Sequence, residues 1–255
     1  MCPRSILSVR RRVLGAMTVL ALLLRVNEAQ AIRPFITDDA RVVGGKVMQL
    51  ETWWRRDKGS FQHWALFAVG PNDHVELTLG GVYGVSQVEQ KPIWAFSTPV
   101  AQGKFLLKEA EPNRWPGLAL AGGILPPFGT GGFEAPGWSG FAYAAVTESL
   151  FENERLLIHG NLGAFVLAAK GYAPVTATWG VGTQLRTVAG FHLVGELFSG
   201  DPYVSNSGGA TQLGFRYIFN DHIQLDATVG TGIFGVEKLP VWATSGVRIV
   251  SHKLW

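Results

Sequence analysis

Across residues 191–250 four consecutive segments alternate apolar and polar side chains, and each carries one charge on its polar face: Glu196, Arg216, Asp226 and Arg248, in alternating sign. Phe191, Leu193 and Leu197 share a face with Gly195, against His192, Val194 and Glu196. Leu213, Phe215, Tyr217 and Phe219 oppose Gln212, Gly214 and Arg216, and Ile223, Leu225, Ala227 and Val229 oppose Gln224, Asp226 and Thr228. Val247 and Ile249 oppose Thr244, Gly246 and Arg248. A period of two over four segments predicts β-strands with one greasy and one polar face. The open question is which face meets solvent, and what that solvent is.

The amino terminus bears on the answer. Residues 1–31 carry Arg4, Arg10, Arg11 and Arg12, an apolar run from Val13 to Leu24 and a short polar stretch ending Ala29-Gln30-Ala31. This is the layout of a secretory signal peptide with an A-x-A cleavage site. The apolar run stops at Arg25 and is too short to span a bilayer as a helix. The mature chain is therefore expected to start near Ile32. Arg10-Arg11-x-Val13-Leu14 faintly resembles a twin-arginine export signal, although such a cluster is more often only the basic n-region of a leader.

Cleavage changes the charge balance. Of 22 Lys and Arg and 19 Asp and Glu, the leader holds five basic groups and one acidic, leaving 17 against 18. The basic character belongs to the leader, so nucleic-acid binding loses its electrostatic motive. The single cysteine, Cys2, leaves with it, and the mature chain has no thiol for disulfides, zinc or nucleophilic catalysis. No linker or low-complexity block divides what remains, and no mature run is apolar enough for a transmembrane helix.

Alternating runs separated by turn formers predict about twelve strands, near 46–55, 61–69, 75–85, 100–109, 116–125, 140–150, 156–166, 176–187, 191–198, 210–219, 223–234 and 242–254. Pro92 and Pro99 argue that the apolar stretch before the fourth is loop. Turns after even-numbered strands are compact, as at Gly70-Pro71-Asn72-Asp73, Glu111-Pro112-Asn113, Glu152-Asn153, Ala189-Gly190 and Asn220-Asp221. Loops after odd-numbered strands are mostly longer, as at 126–139 and 199–209.

Short turns at one end, long loops at the other and an even strand number describe a bacterial outer-membrane barrel with both termini periplasmic. The expected fold is all-β: a closed antiparallel up-and-down transmembrane barrel over residues 46–255, preceded by a periplasmic or plug-like segment over 32–45. The greasy face then meets lipid, and closure satisfies every backbone amide. Trp53, Trp54, Trp64, Trp179, Tyr217 and Trp242 lie near strand ends, where interfacial girdle aromatics are expected, and the last strand is expected to end in Trp255. A soluble exported barrel or sandwich with its greasy face inward is the alternative. It would have few charges to cover its outside, since 16% of the chain is charged.

Arg33-Pro34-Phe35-Ile36-Thr37-Asp38-Asp39-Ala40, Gln49-Leu50-Glu51 and the corner Leu125-Pro126-Pro127-Phe128-Gly129 carry a resemblance, together with Gly195-Glu196-Leu197-Phe198, Leu213-Gly214-Phe215-Arg216-Tyr217 and Gln224-Leu225-Asp226-Ala227. With these motifs the mature chain resembles the MetA-pathway phenol-degradation, transporter-like family of bacterial outer-membrane β-barrels, over nearly its whole length. At the corner that family usually has a Leu-Pro-Thr-Gly type turn, and here the second Pro replaces Thr. The resemblance implies an outer-membrane location and a role in moving small solutes, aromatic or hydrophobic ones among them. It implies no catalytic residue.

If strand twelve closes on strand one, the lumen order of charges is Arg186, Glu196, Arg216, Asp226, Arg248, Glu51, with the sign alternating at every step. This predicts a belt of cross-strand ion pairs, serving to staple the wall, to select a solute, or both. Twelve strands enclose a backbone radius of about 12 Å, wide enough for water unless side chains or residues 32–45 fill it. The expected function is passive passage of a small solute, gated by the long loops; a closed barrel with a structural or interaction role is the alternative. Expected partners are outer-membrane lipid, the barrel-assembly machinery and the solute. No cofactor is implied. The six histidines lack metal-ligand spacing. Asp38-Asp39 could take calcium, pair with Arg33 or Arg41, or face water. His159 and Asn161 share a face, yet no serine is placed to make them a hydrolytic site. No enzyme activity is expected.

Overall fold

The computed structural model describes residues 35–88, 91–133, 137–168, 174–200, 208–235 and 238–255. The leader expected over 1–31, residues 32–34 and the middle of the predicted loops 126–139 and 199–209 lie outside them. Twelve strands form one closed barrel: β1 (Met48–Asp57), β2 (Ser60–Asn72), β3 (Val75–Val88), β4 (Lys91–Lys108), β5 (Gly117–Leu125), β6 (Trp138–Leu150), β7 (Leu156–Ala168), β8 (Val175–Val188), β9 (Phe191–Ser199), β10 (Gly209–Asn220), β11 (Ile223–Phe234) and β12 (Trp242–Val250). Each pairs antiparallel with its sequence neighbours, and β12 closes on β1 from Gln49↔Val250 to Asp57↔Trp242. Closure gives every strand a partner on both sides. Among the described residues no helix is long and apolar enough to cross a membrane, as a barrel does not require one.

Side-chain parity divides the wall as the alternation predicts. Leu79, Leu162, Leu213, Phe219 and Val229 point outward and are more than half exposed, while Gln49, Glu76, Gln184, Gln224 and Thr228 are buried inside. An outward apolar surface with an inward polar one is the inverse of a soluble barrel. Leu162, central in β7 and 69% exposed, is a suitable probe of this face. Leu162→Arg should destabilise the barrel in lipid by about 2–4 kcal/mol, as the cost of a charge at bilayer mid-depth requires. Reversible urea unfolding into vesicles measures it.

Three expectations need correction. β4 begins at Lys91, not near 100: Pro92 sits opposite Gln87 at the strand tip, and Pro99 lies at a bulge where the register with β3 shifts between Gly80 and Val82. β5 pairs with β4 only from Ala101 onward, so neither proline removes a central ladder bond. β12 ends at Val250, and Trp255 follows it, exposed, beyond irregular bonds from Ser251 N to Met48 O and Leu254 N to Lys46 O. Of the expected girdle aromatics, Trp54, Trp179 and Tyr217 face outward. Trp53 and Trp242 are buried in the lumen and Trp64 stacks on Trp53 with centroids 5.4 Å apart.

Candidate functional site

Inside this wall runs the segment Phe35–Gly45, which forms no regular secondary structure. An irregular backbone away from water must find acceptors for its N–H groups elsewhere, and here wall side chains supply them. Ile36 N and Thr37 N both donate to the Glu196 carboxylate of β9, each at 2.8 Å. Asp38 N donates to Asn161 Oδ1 of β7 at 2.5 Å, and Asn161 Nδ2 returns a bond to Asp38 O at 2.8 Å. Ala40 N donates to Thr147 Oγ1 of β6, Val43 N to Glu76 Oε2 of β3 and Gly45 N to Asp73 Oδ1 in the β2–β3 turn, all at 2.8 Å. The inward polar positions of four strands are thus addressed to one segment.

Its charges are matched as closely. Lys104 Nζ of β4, fully buried, donates to Asp38 Oδ1 at 2.7 Å and reaches Asp39 Oδ1 at 3.4 Å. Tyr143 OH donates to Asp38 Oδ2 at 2.6 Å, and Arg41 pairs with Glu154 at the short-turn end at 2.7 Å. Burial alone would raise Asp39, but the cations Lys104 and Arg41 outweigh it and hold that carboxyl down to about 2. Lys104, not among the expected partners of Asp38-Asp39, thus bonds both side chains; Arg41 gives Asp39 a hydrogen bond from its backbone N–H and a nearby positive charge, and Arg33 lies outside the described residues.

Packing completes the seat. Phe35 lies against the His159 ring at 5.5 Å and under the Arg216 guanidinium at 5.7 Å. Ala40 packs with Ala119 and Ala145, and Ile36 with Phe198, Ala210 and Trp242. Gly180 and Gly182 leave the room that Thr37 and Phe35 occupy. A Cβ at Gly180 would collide with Thr37 Oγ1, so Gly180→Val should loosen the segment while sparing the strands. The expected result is trypsin cleavage after Arg41 several times faster than in the wild-type barrel. Between the segment and the wall at the short-turn end remains a cavity of about 260 Å³, lined by Arg41, Val42, Asp73, Leu106 and Glu154 among others.

The six charges of the expected belt all face inward, but not as one ring. Arg248 lies opposite Glu51, with Nε 3.8 Å from Glu51 Oε1, and Gln49 bridges them through bonds of 2.8 Å to each. Arg216 lies opposite Asp226 on one side and His192 on the other. Arg186, half-buried, also faces His192. Glu196 lies opposite Gln212 and Gly182, four residues along its strand from His192, so the expected pairs Arg186–Glu196 and Glu196–Arg216 are not neighbours. Its carboxylate instead serves Ile36, Thr37 and Gln212. His159 and Asn161 hold the segment, the first beside Phe35 and within 3.0 Å of Thr147 Oγ1. Among the described residues no group of three His, Cys, Asp or Glu is placed to hold a metal. Lys104, Glu76, Tyr143 and Thr147 were not anticipated; their only sequence signal is their inward parity.

Residues 19–251 match the family model described as Uncharacterised conserved protein UCP029691. No curated protein matches the chain in sequence. Among solved structures, the barrel is similar to the COG4313 outer membrane channel from Pseudomonas putida F1, with a TM-score of 0.64 at 9% identity, covering 84% of this chain and 98% of that one. It is also similar to the KdgM porin in complex with disordered oligogalacturonate (TM-score 0.55, 9% identity, 80% and 99% covered) and to the NanC porin (0.50, 11%, 81% and 100%). At such identities the likeness is one of fold.

Proposed function

This chain belongs to the family described as Uncharacterised conserved protein UCP029691, and we propose that it works as an outer-membrane channel for passive passage of a small solute, shut at rest by its own residues 35–45. One observation carries the proposal: a segment of irregular backbone runs inside the lumen, held there through side-chain bonds, salt bridges and packing and by no strand pairing of its own. Such a segment can leave its seat without unpairing a strand. The channel and porin names of the similar folds support the same reading, as does the lipid-compatible outer surface.

A phenolic or other aromatic solute is the finer part of the proposal, implied by the resemblance of residues 33–40 to the phenol-degradation family. It suits an apolar layer on the long-loop side of the segment, where Val100, Phe141 and Phe165 pack with Leu66, Leu125 and Leu167. The entry barrier there favours apolar over charged solutes. Liposome swelling with matched phenols, sugars and amino acids tests it: faster uptake of phenols supports the aromatic assignment, and uptake ordered by size alone removes it. A closed barrel with a structural or interaction role would give no swelling with any solute.

A further inference from the structure

Two side chains of the segment, Asp38 and Phe35, are held by wall groups suited to a free molecule of the same chemistry. The Asp38 carboxylate takes a donor at each oxygen: Lys104 Nζ on Oδ1 at 2.7 Å and Tyr143 OH on Oδ2 at 2.6 Å. Lys104 is fully buried, and a short bond from an ammonium to a carboxylate is of the strong, charge-assisted kind. The Phe35 ring, 7% exposed, has the Arg216 guanidinium 5.7 Å from its centroid and the His159 ring at 5.5 Å. At Gly182 the wall has no side chain, and a Cβ there would sit 3.4 Å from the ring. A guanidinium over the ring face and a second ring beside it suit any small arene. These wall residues belong to β4, β6, β7, β8 and β10, so they keep their places when the segment moves.

When the segment leaves, Lys104 and Tyr143 lose that carboxylate, and Arg216 and His159 lose that ring. A molecule carrying both groups restores what the wall loses, and because it needs the same partners as the segment, only one of the two can be seated. A ligand shifts a two-state equilibrium by its difference in affinity for the two states, and here the affinity belongs to the vacated state alone. We propose that the seat of Phe35 and Asp38 is a binding site for small aromatic carboxylates, and that such an acid opens the barrel by displacing the segment. The inference rests on the channel reading and adds a carboxylate to its aromatic solute. A neutral phenol fills only the ring half of the seat, and an aliphatic acid only the carboxylate half. The arene still presents an apolar body to the layer at Val100, Phe141 and Phe165. Phe35 and Asp38 are three residues apart, at most about 10 Å of backbone, so the linker between ring and carboxylate is the variable to scan.

The test adds benzoate, phenylacetate, 3-phenylpropanoate and 5-phenylpentanoate, one at a time, to the wild-type barrel in detergent and follows trypsin cleavage after Arg41. The expected result is a saturable, several-fold rise with at least one of these acids, and none with its amide or with hexanoate, which lacks the ring. Cleavage of a free reporter peptide in the same tube should not change. An equal rise with the amide or with hexanoate would overturn the paired recognition, and no rise with any acid would overturn the site. The 4-azidophenyl form of the most effective acid then serves as a photolabel: attachment to β7, β8 or β10 supports the seat, and attachment only elsewhere overturns it. Asp38→Asn removes the rival carboxylate and should lower the half-maximal concentration of the acid several-fold; an unchanged value would count against displacement. Indifference to the acids in a barrel that still takes up phenols by swelling overturns this inference and leaves the channel standing. Acids that release the segment in a barrel that passes no solute support the site and overturn the channel.

Discussion

Deletion of residues 35–44 should turn a barrel that conducts rarely into one that conducts steadily, with unitary conductance higher by roughly an order of magnitude for a lumen of about 12 Å backbone radius. The strands should survive the deletion. Their register is set by hairpins and by the β1–β12 closure, and none of the segment's residues belongs to a ladder. Glu196, Lys104 and Asn161 would lose their partners, but a flooded lumen hydrates them. Retained heat-modifiable migration on gels would show that the barrel remains folded. Planar-bilayer recording measures the conductance.

Lys104→Met should have the second-largest effect. It leaves Asp38, Asp39 and Glu76 without the buried cation that faces all three. Removing one partner of a buried ion pair costs about 3–5 kcal/mol, because the remaining charge stays out of water. Here release of the segment relieves that cost, so the loss should appear as frequent opening more than as a lower unfolding temperature. Combining Lys104→Met with Asp38→Asn and Asp39→Asn should restore part of the quiet state, since the orphaned charges are then gone. A triple variant as active as Lys104→Met alone would mean that the lysine acts through something other than these carboxylates.

Much of the wall was legible because a barrel strand writes its two environments into alternate residues. The parity of Glu51, Arg216 and Arg248 places them inside, and the same parity places Trp53 and Trp242 there, against their reading as girdle aromatics. β4 was less legible, because two prolines and a bulge break its alternation, and with it Lys104 was hidden. Register was legible only in part: Arg216 does face Asp226 and Arg248 does face Glu51, but Glu196 does not face its expected partners. Whether Glu196 faces Arg216 or Gln212 depends on how neighbouring strands slide, which alternation leaves free by steps of two. The seat of the segment was furthest from view. Thr37-Asp38-Asp39 has no period to read, and its partners lie 159, 105 and 66 residues away in Glu196, Tyr143 and Lys104.

If the proposed function holds, exit of residues 35–45 from the lumen is the step on which passage depends, and it can be locked. Gly182, given a Cβ, would place it 3.6 Å from the Cβ of Thr37, within the span a disulfide bridges. The sole natural cysteine is Cys2, in the expected leader, so Thr37→Cys with Gly182→Cys would form one defined bridge in the mature chain. Single-channel recording of this double variant should show silence when the disulfide is closed and openings at the wild-type frequency once a reductant breaks it. The same record in both states, conducting or silent, with the bridge verified by mass, would contradict a lumen gated by this segment.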